Sequence, residues 1–131
     1  MGYTFNGYRR PDGQVGIRNY VGIIPSVTCA SDVASAICRQ VQGCVTFPHH
    51  QGCCQMPPDL ERVTDTLISL GKSPNLGAVL IVSLGCEGTD VESLYKRSLP
   101  QANTLKLSVF KNSAVSPTPS RKVPISPGIW P

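Results

Sequence analysis

The stretch Ala78-Val-Leu-Ile-Val-Ser-Leu84 decides the fold. Its residues are almost all apolar and do not alternate with polar ones, which is typical of a strand buried on both faces of a parallel sheet. Parallel strands need crossover connections, and these are usually helices. The stretch therefore predicts an α/β domain whose other strands and helices lie on either side of it in the sequence.

Two further strands are predicted before this stretch and one after it. Tyr20–Pro25 and Cys44–Phe47 are short apolar runs bounded by turn-forming residues. Leu105–Phe110 is the candidate for a fourth strand, at the edge of the sheet. The expected architecture is a three-layer αβα (Rossmann-like) fold with a short parallel sheet of three to four strands.

Each of the first three strands is followed by a helix signal. Ser31 can cap a first helix that Gly43 terminates, and Pro57 suits the first turn of a second helix. The second helix is expected to end at Gly71, and Asp90 or Thr89 can cap a third helix that runs to about residue 98.

The chain of 131 residues divides into three regions. Residues 1–18 form a polar, turn-rich arm with a tight turn at Pro11-Asp12-Gly13. Residues 19–110 form the α/β domain. Residues 111–131 are rich in proline and serine without apolar periodicity, which predicts a disordered tail.

Charge and hydropathy exclude several classes of function. The net charge is +4, but residues 111–131 hold three basic residues and no acid, so the remainder has nine basic against eight acidic groups. That balance argues against nucleic-acid binding. No apolar run approaches the roughly 20 residues of a membrane helix. No basic and apolar leader opens the sequence, so a cytoplasmic protein is expected.

Three of the six cysteines lie just after predicted strands. Cys29, Cys53 and Cys86 follow the first, second and third strands respectively. The carboxyl ends of parallel strands share one edge of the sheet, where ligands bind. The pattern predicts that three thiols meet there and could hold a soft or borderline metal ion with one position open for substrate.

The alternative is that the cysteines only pack the core, because free cysteine is among the most buried residue types. Cys38 and Cys44 fall on a helix and a strand and are interpreted as packing residues, and Cys54 as structural. The sequence contains no CxxC pair, which excludes a zinc ribbon and a ferredoxin-type motif.

Five other residues carry groups suited to a site. Of His49 and His50, one is expected to pack and the other to act, and the sequence does not distinguish them. Glu87 could act beside the thiols or simply answer the dipole of the third helix. Arg10 and Arg18 could bind a substrate carboxylate or be solvated charges, and Arg18 precedes the first strand, at the opposite edge from the thiols.

Several motifs resemble one family in the same order. Gly7-Tyr-Arg-Arg-Pro-Asp-Gly-Gln-Val-Gly-Ile-Arg-Asn19 resembles the opening signature of the altronate dehydratase / galactarate dehydratase family, which also contains the large subunit of sulfolactate sulfo-lyase. The resemblance continues through His49-His-Gln-Gly-Cys53 and Leu84-Gly-Cys-Glu87, and covers about residues 7–107. Family members are several hundred residues long, so the chain is expected to be an early, truncated segment of one.

The resemblance implies a metal-dependent lyase that removes water from a sugar acid such as altronate or galactarate by abstracting the proton α to the carboxylate. The alternatives are a sulfolactate-type C–S lyase subunit and a metal-binding module without turnover. Cys29, Cys53 and Cys86 occupy the family's cysteine positions, and the metal would be Fe(II), with an iron–sulfur cluster as the alternative. His49 or His50 would be the base, with Glu87 beside it. A homo-oligomer or a complementing subunit is expected.

Overall fold

The computed structural model describes residues 4–98 and 103–108. The predicted tail over residues 111–131 lies outside them. The α/β class is confirmed, because the described elements are parallel strands alternating with helices, preceded by a small hairpin. In chain order they are β1 (Tyr8–Arg9), β2 (Val15–Gly16), β3 (Tyr20–Pro25), α1 (Ser31–Gln40), β4 (Cys44–Thr46), α2 (Pro57–Gly71), β5 (Leu76–Ser83), α3 (Val91–Ser98) and β6 (Asn103–Ser108).

The main sheet has the strand order β4-β3-β5-β6, and each neighbouring pair is parallel. The stretch that predicted the fold forms β5, which pairs with β3 on one side and β6 on the other. The strand begins at Leu76, two residues before the apolar run, because Leu76 pairs with Tyr20 at the start of β3. The predicted fourth strand is confirmed as β6 at one edge, and β4 forms the other edge.

Helices cover both faces of this sheet. Ile24 and Ile81 belong to an apolar core that includes residues of α2 and α3. Their chain neighbours Ile23 and Val82 belong to a second core, with residues of α1. Because successive side chains of a strand point to opposite faces, α1 lies on one face and α2 and α3 lie on the other.

The helix starts agree with the sequence in two cases and differ in the third. Pro57 is the first residue of α2, and Asp90 Oδ1 accepts hydrogen bonds from the Glu92 and Ser93 amides at the start of α3. The prediction that Ser31 caps α1 is wrong. A short 3-10 turn over Thr28–Ala30 precedes the helix, and the Ser31 hydroxyl donates to His49 O instead.

Among the helices that the structure describes, α2 is the longest, with 15 residues. Across residues 4–98 and 103–108, no helix is both long and apolar enough to cross a bilayer.

The arm is a β1–β2 hairpin closed by the predicted turn, and Asn75 attaches it to the sheet. Asn75 Oδ1 accepts hydrogen bonds from the Ile17 amide (3.0 Å) and the Arg18 amide (3.2 Å). Both contacts lie at the amino ends of β3 and β5, the edge opposite the cysteine loops. One side chain therefore satisfies two backbone donors of the arm.

We expect Asn75→Ala to lower the free energy of unfolding by about 1–2 kcal/mol, because two amides lose their acceptor. Urea denaturation measures this loss. Hydrogen exchange at the Ile17 and Arg18 amides should also be faster in the variant than in the unaltered chain. Substitution of the exposed Gln42 by alanine is the matched control and should change neither quantity. Unchanged exchange at the two amides would contradict the assigned role of Asn75.

Candidate functional site at the carboxyl edge of the sheet

The loops that follow β3, β4 and β5 are joined at the carboxyl edge by backbone hydrogen bonds. The Thr28 amide donates to Gln51 O (2.9 Å), which links the first loop to the second. The Gly88 amide donates to Gly52 O (3.0 Å), which links the third loop to the second. The β4–α2 loop is therefore held from both sides, and the three cysteine-bearing loops are neighbours.

Gly52 allows this close approach. Its φ is +94°, in the region that favours glycine, and a Cβ at this position would lie 2.6 Å from Ser26 O and 3.0 Å from Val27 Cα. Both atoms belong to the backbone, so neither can move aside at low cost. The middle loop lies against the end of β3 only because this residue has no side chain.

The thiols at this edge are free and differ in exposure. Cys29, Cys54 and Cys86 are exposed and Cys53 is half-buried. The Cys53 and Cys54 Sγ atoms are 3.6 Å apart. The hydrogen bond with Cys54 and the charge of that thiol are the main causes that raise the pKa of Cys53, followed by burial and by the charges of Cys86 and Cys29. All three other thiols thus lie within electrostatic range of Cys53.

The donor chemistry of these thiols suits a soft or borderline metal ion, but their positions do not form a ligand set. Within residues 4–98 and 103–108, no group of three or more His, Cys, Asp or Glu side chains could hold a metal ion as arranged. The predicted trio therefore shares one edge of the sheet without being closed around a common centre.

Cys38 and Cys44 pack against the core on the α1 face, as the sequence predicts. Both are half-buried. Burial is the main cause that raises the pKa of the Cys44 thiol, and Cys38 adds to it.

The two histidines have different roles in the structure. The His49 Nδ1 atom accepts a hydrogen bond from the Gln51 amide (3.2 Å), so Nε2 carries the proton and donates to Pro25 O at 2.8 Å. Nε2 of His49 thus connects the β4–α2 loop to the end of β3, while Nδ1 binds the backbone of the loop itself. His50 is exposed, and its imidazole has no hydrogen-bond partner among the described residues.

We expect His49→Ala to lower the free energy of unfolding by about 1–3 kcal/mol, because it leaves the Gln51 amide and Pro25 O without their partner. His50→Ala is the matched control and should change stability by less than about 0.5 kcal/mol. Urea denaturation of both variants measures the difference. Equal losses would contradict the assignment of His49 as the histidine that holds the loop.

Glu87 is engaged with its own loop. Its Oε2 atom accepts hydrogen bonds from the Gly85 amide (2.8 Å) and the Leu84 amide (3.3 Å), which shapes the turn that presents Cys86.

The amino ends of two helices at this edge are also occupied, since α2 begins with two prolines and the Asp90 carboxylate caps α3. Neither helix end is therefore a ready anion site.

The predicted substrate-binding arginines lie far from the thiols in the fold. Arg10 Nε donates to Pro74 O (2.7 Å), just before β5, and its guanidinium also donates to Arg18 O. The Arg18 side chain donates to Ile17 O, just before β3. The structure places both residues at the amino edge of the sheet, where they bind backbone carbonyls, and does not bring them to the cysteine loops.

A cavity of about 440 Å³ lies between the end of β4 and α2. It includes His49 and Gln51 of the middle loop and Arg62 of α2, a cation that the sequence reading did not single out. Arg62 could have been found from the sequence, because it lies near the start of a helix that begins at the carboxyl edge of the sheet. The other lining residues are mainly apolar, which fits a polyol poorly: Phe47, Pro48, Val63, Thr66, Leu67 and Leu70.

The chain belongs to the D-galactarate dehydratase/altronate hydrolase family, whose second-domain model matches residues 7–118. This range extends past residue 107, where the motif resemblance ends. The chain is similar to the (2R)-sulfolactate sulfo-lyase subunit beta of Chromohalobacter salexigens, with 36% identity over 101 residues, 76% of this chain and 26% of that protein. No solved structure matches.

Two altronate dehydratases are also similar to the chain. The Bacillus subtilis protein is 28% identical over 123 residues, 86% of this chain and 24% of its own length. The Escherichia coli protein is 36% identical over 98 residues, 64% of this chain and 19% of its own length. The chain thus spans about a quarter or less of the length of these curated relatives.

Proposed function

We propose that this chain supplies the thiol-bearing part of the active site of a lyase that eliminates water from a sugar acid such as altronate or galactarate. The observation that carries the proposal is the joining of the three loops that bear Cys29, Cys53 and Cys86 at one edge of the sheet. Ligands of parallel α/β sheets bind at this edge. Family membership and the names of the two altronate dehydratases support the reaction class.

The elimination needs a base for the proton α to the carboxylate and a group that stabilises the developing negative charge. We assign His50 as the base, since its imidazole is exposed and unengaged among the described residues whereas both nitrogens of His49 are occupied. Glu87 acts as a positioning residue, because its carboxylate holds the turn that carries Cys86. Arg10 and Arg18 have no place in this site, since they bind backbone at the opposite edge.

Cys29, Cys53 and Cys86 are the ligands that we propose this chain offers to a divalent metal, with Fe(II) as the first candidate. When bound, such an ion supplies Lewis-acid stabilisation of charge. Their side chains must turn toward one another to bind it, since the described residues do not form a ligand set as they are arranged. A complementing subunit or domain fits the share of the relatives' length that this chain spans.

A C–S lyase acting on sulfolactate is the second candidate. The specific observation in its favour is the 36% identity with the sulfo-lyase subunit beta over 76% of this chain. Loss of sulfite instead of water from the neighbouring carbon needs the same base and the same stabilisation of charge. The two candidates therefore differ in leaving group and not in the part assigned to this chain.

The test is a chimera in which residues 7–118 of this chain replace the matched region of the Bacillus subtilis altronate dehydratase. The chimera, purified without oxygen and supplied with Fe(II), is incubated separately with altronate, galactarate and sulfolactate. We expect a 2-keto acid from a sugar acid, whereas sulfite release from sulfolactate would favour the second candidate. A folded chimera that turns over none of the three would contradict both.

Single serine substitutions of Cys29, Cys53 and Cys86 in the active chimera separate the catalytic role from packing. Each should lower kcat by about 100-fold or more and reduce bound iron, as loss of a ligand does. Cys38→Ser is the matched control and should keep both activity and iron. Unchanged iron content in all three variants would overturn the ligand assignment. Turnover with no bound iron would contradict the proposal that the reaction needs this metal.

A further inference from the structure

We propose that Cys53 and Cys54 form a redox modification site, a pair of adjacent thiols that a hydroperoxide converts to a disulfide. Nothing in the elimination chemistry requires Cys54, which the sequence indicates only as a structural residue. The modification is independent of the proposed lyase function. Only its effect on metal binding, which would lose the Cys53 thiol, rests on that function.

The two sulfur atoms are already close in the reduced protein. Their separation is 3.6 Å, and an S–S bond of about 2.05 Å needs them to approach by only about 1.5 Å. Cys54 is exposed, so an oxidant in solution can reach it. No other described pair of thiols has a hydrogen bond between its sulfur atoms.

The backbone holds the pair in this arrangement from both sides. Cys54 has a φ of +54° and is the single residue other than glycine with a positive φ among those that the structure describes. Gly52, immediately before the pair, donates its amide to Gln55 Oε1 (2.8 Å) and accepts from the Gly88 amide (3.0 Å). The loop thus holds Gly52, which precedes the pair, and Cys54, its second member, at positive φ, an uncommon conformation of the kind that clusters at functional sites.

The chemistry needs one equivalent of hydroperoxide. The Cys54 thiolate attacks the peroxide oxygen, the O–O bond breaks, and Cys54 becomes a sulfenic acid while hydroxide leaves and is protonated to water. The Cys53 sulfur then attacks the Cys54 sulfur, an S–S bond forms, and hydroxide leaves and takes the Cys53 proton. Two thiols are oxidised, one peroxide is reduced, and two waters form. Because Cys54 is exposed and Cys53 is half-buried, Cys54 is the thiol that attacks first.

The resulting disulfide should be easy to reduce. Adjacent Cα atoms are about 3.8 Å apart across a trans peptide, below the range of about 4.4 to 6.8 Å usual for disulfides. Strained, exposed disulfides have the more oxidising potentials that are typical of regulatory bonds. The site is therefore suited to reversible oxidation rather than to a permanent crosslink.

The experiment uses the full chain, reduced without oxygen and then titrated with hydrogen peroxide. Free thiols are counted by alkylation under denaturing conditions, and peptides are identified by mass spectrometry. We expect the count to fall by two, from six to four, with the loss of two hydrogens from the peptide that contains both Cys53 and Cys54. Addition of reduced glutathione should restore six.

The Cys54→Gly variant is the main comparison, because glycine accepts the positive φ at this position. It should lose thiols at least about tenfold more slowly. It should also bind as much iron as the unaltered chain, whereas the oxidised chain binds less. Cys38→Ser is the matched control and should form the disulfide at the unaltered rate.

Three results would overturn the proposal. A crosslink from Cys53 to Cys29 or Cys86 in place of Cys54 would do so. So would oxidation of single cysteines to sulfinic acid without a disulfide, or equal rates of thiol loss in the Cys54→Gly variant. Failure of the chain to bind iron in any redox state would count against the proposed function and leave the disulfide measurement unaffected.

Discussion

Replacing Gly52 by alanine is expected to lower the free energy of unfolding by about 3 kcal/mol or more. Two causes add in this variant. A positive φ costs an alanine about 1 kcal/mol, and the new Cβ would lie 2.6 Å from Ser26 O, a contact that forces backbone to move. Since Gly52 O also accepts the hydrogen bond from Gly88, the movement should separate the loops of the candidate site.

Gly13 provides a matched control for this prediction. Its φ of +89° is close to that of Gly52, yet a Cβ on Gly13 would have no atom within 4 Å. Gly13→Ala should therefore show the conformational cost alone, about 1 kcal/mol. Urea denaturation of the two variants isolates the effect of the close approach. Equal losses of unfolding free energy in the two variants would show that the close approach of Gly52 to the end of β3 does not affect stability.

Replacing Ile24 by alanine is expected to cost about 2–5 kcal/mol, the range for large-to-small changes in a packed core. Ile24 is fully buried near the carboxyl end of β3, in the core that α2 and α3 share. The deleted methyl and methylene groups would leave a cavity that the neighbouring strands cannot close, because they are paired on both sides of β3.

Ile17 allows the same chemical change at an exposed position, since 54% of its surface is accessible. Ile17→Ala should cost less than about 0.5 kcal/mol, as is usual for surface substitutions. The comparison between the two isoleucines removes the intrinsic difference between isoleucine and alanine. A loss for Ile17→Ala as large as that for Ile24→Ala would mean that the arm is packed more tightly than the structure shows.

The strands and helices could be predicted because their signals are local. The unbroken apolar run that forms β5, the two prolines that begin α2 and the Asp90 cap of α3 each act within a few residues of the chain. Element bounds differ by about two residues where pairing with a neighbouring strand, and not the apolar pattern, sets the end. Leu76 is the clearest case, since its partner Tyr20 lies in another strand.

The features of the site that could not be predicted depend on partners distant in sequence. Ser31 has the chemistry of a cap, but its hydroxyl binds the backbone at His49, in a loop 18 residues away. The difference between His49 and His50 depends on Pro25 O, which only the fold brings near. The sequence predicted that the thiol loops share one edge, because the carboxyl ends of parallel strands lie together. It did not predict the side-chain positions that decide whether the thiols can bind one metal ion.

The hydrogen bonds that join the three loops run between main-chain atoms. Main-chain atoms are common to nearly all residue types, so the side chains at positions 29, 53 and 86 can change without altering the path of the loops. A designer could replace a thiol there by an imidazole or a carboxylate and retain the frame. Natural drift has the same freedom, which would let related proteins acquire new reactivities on one inherited scaffold.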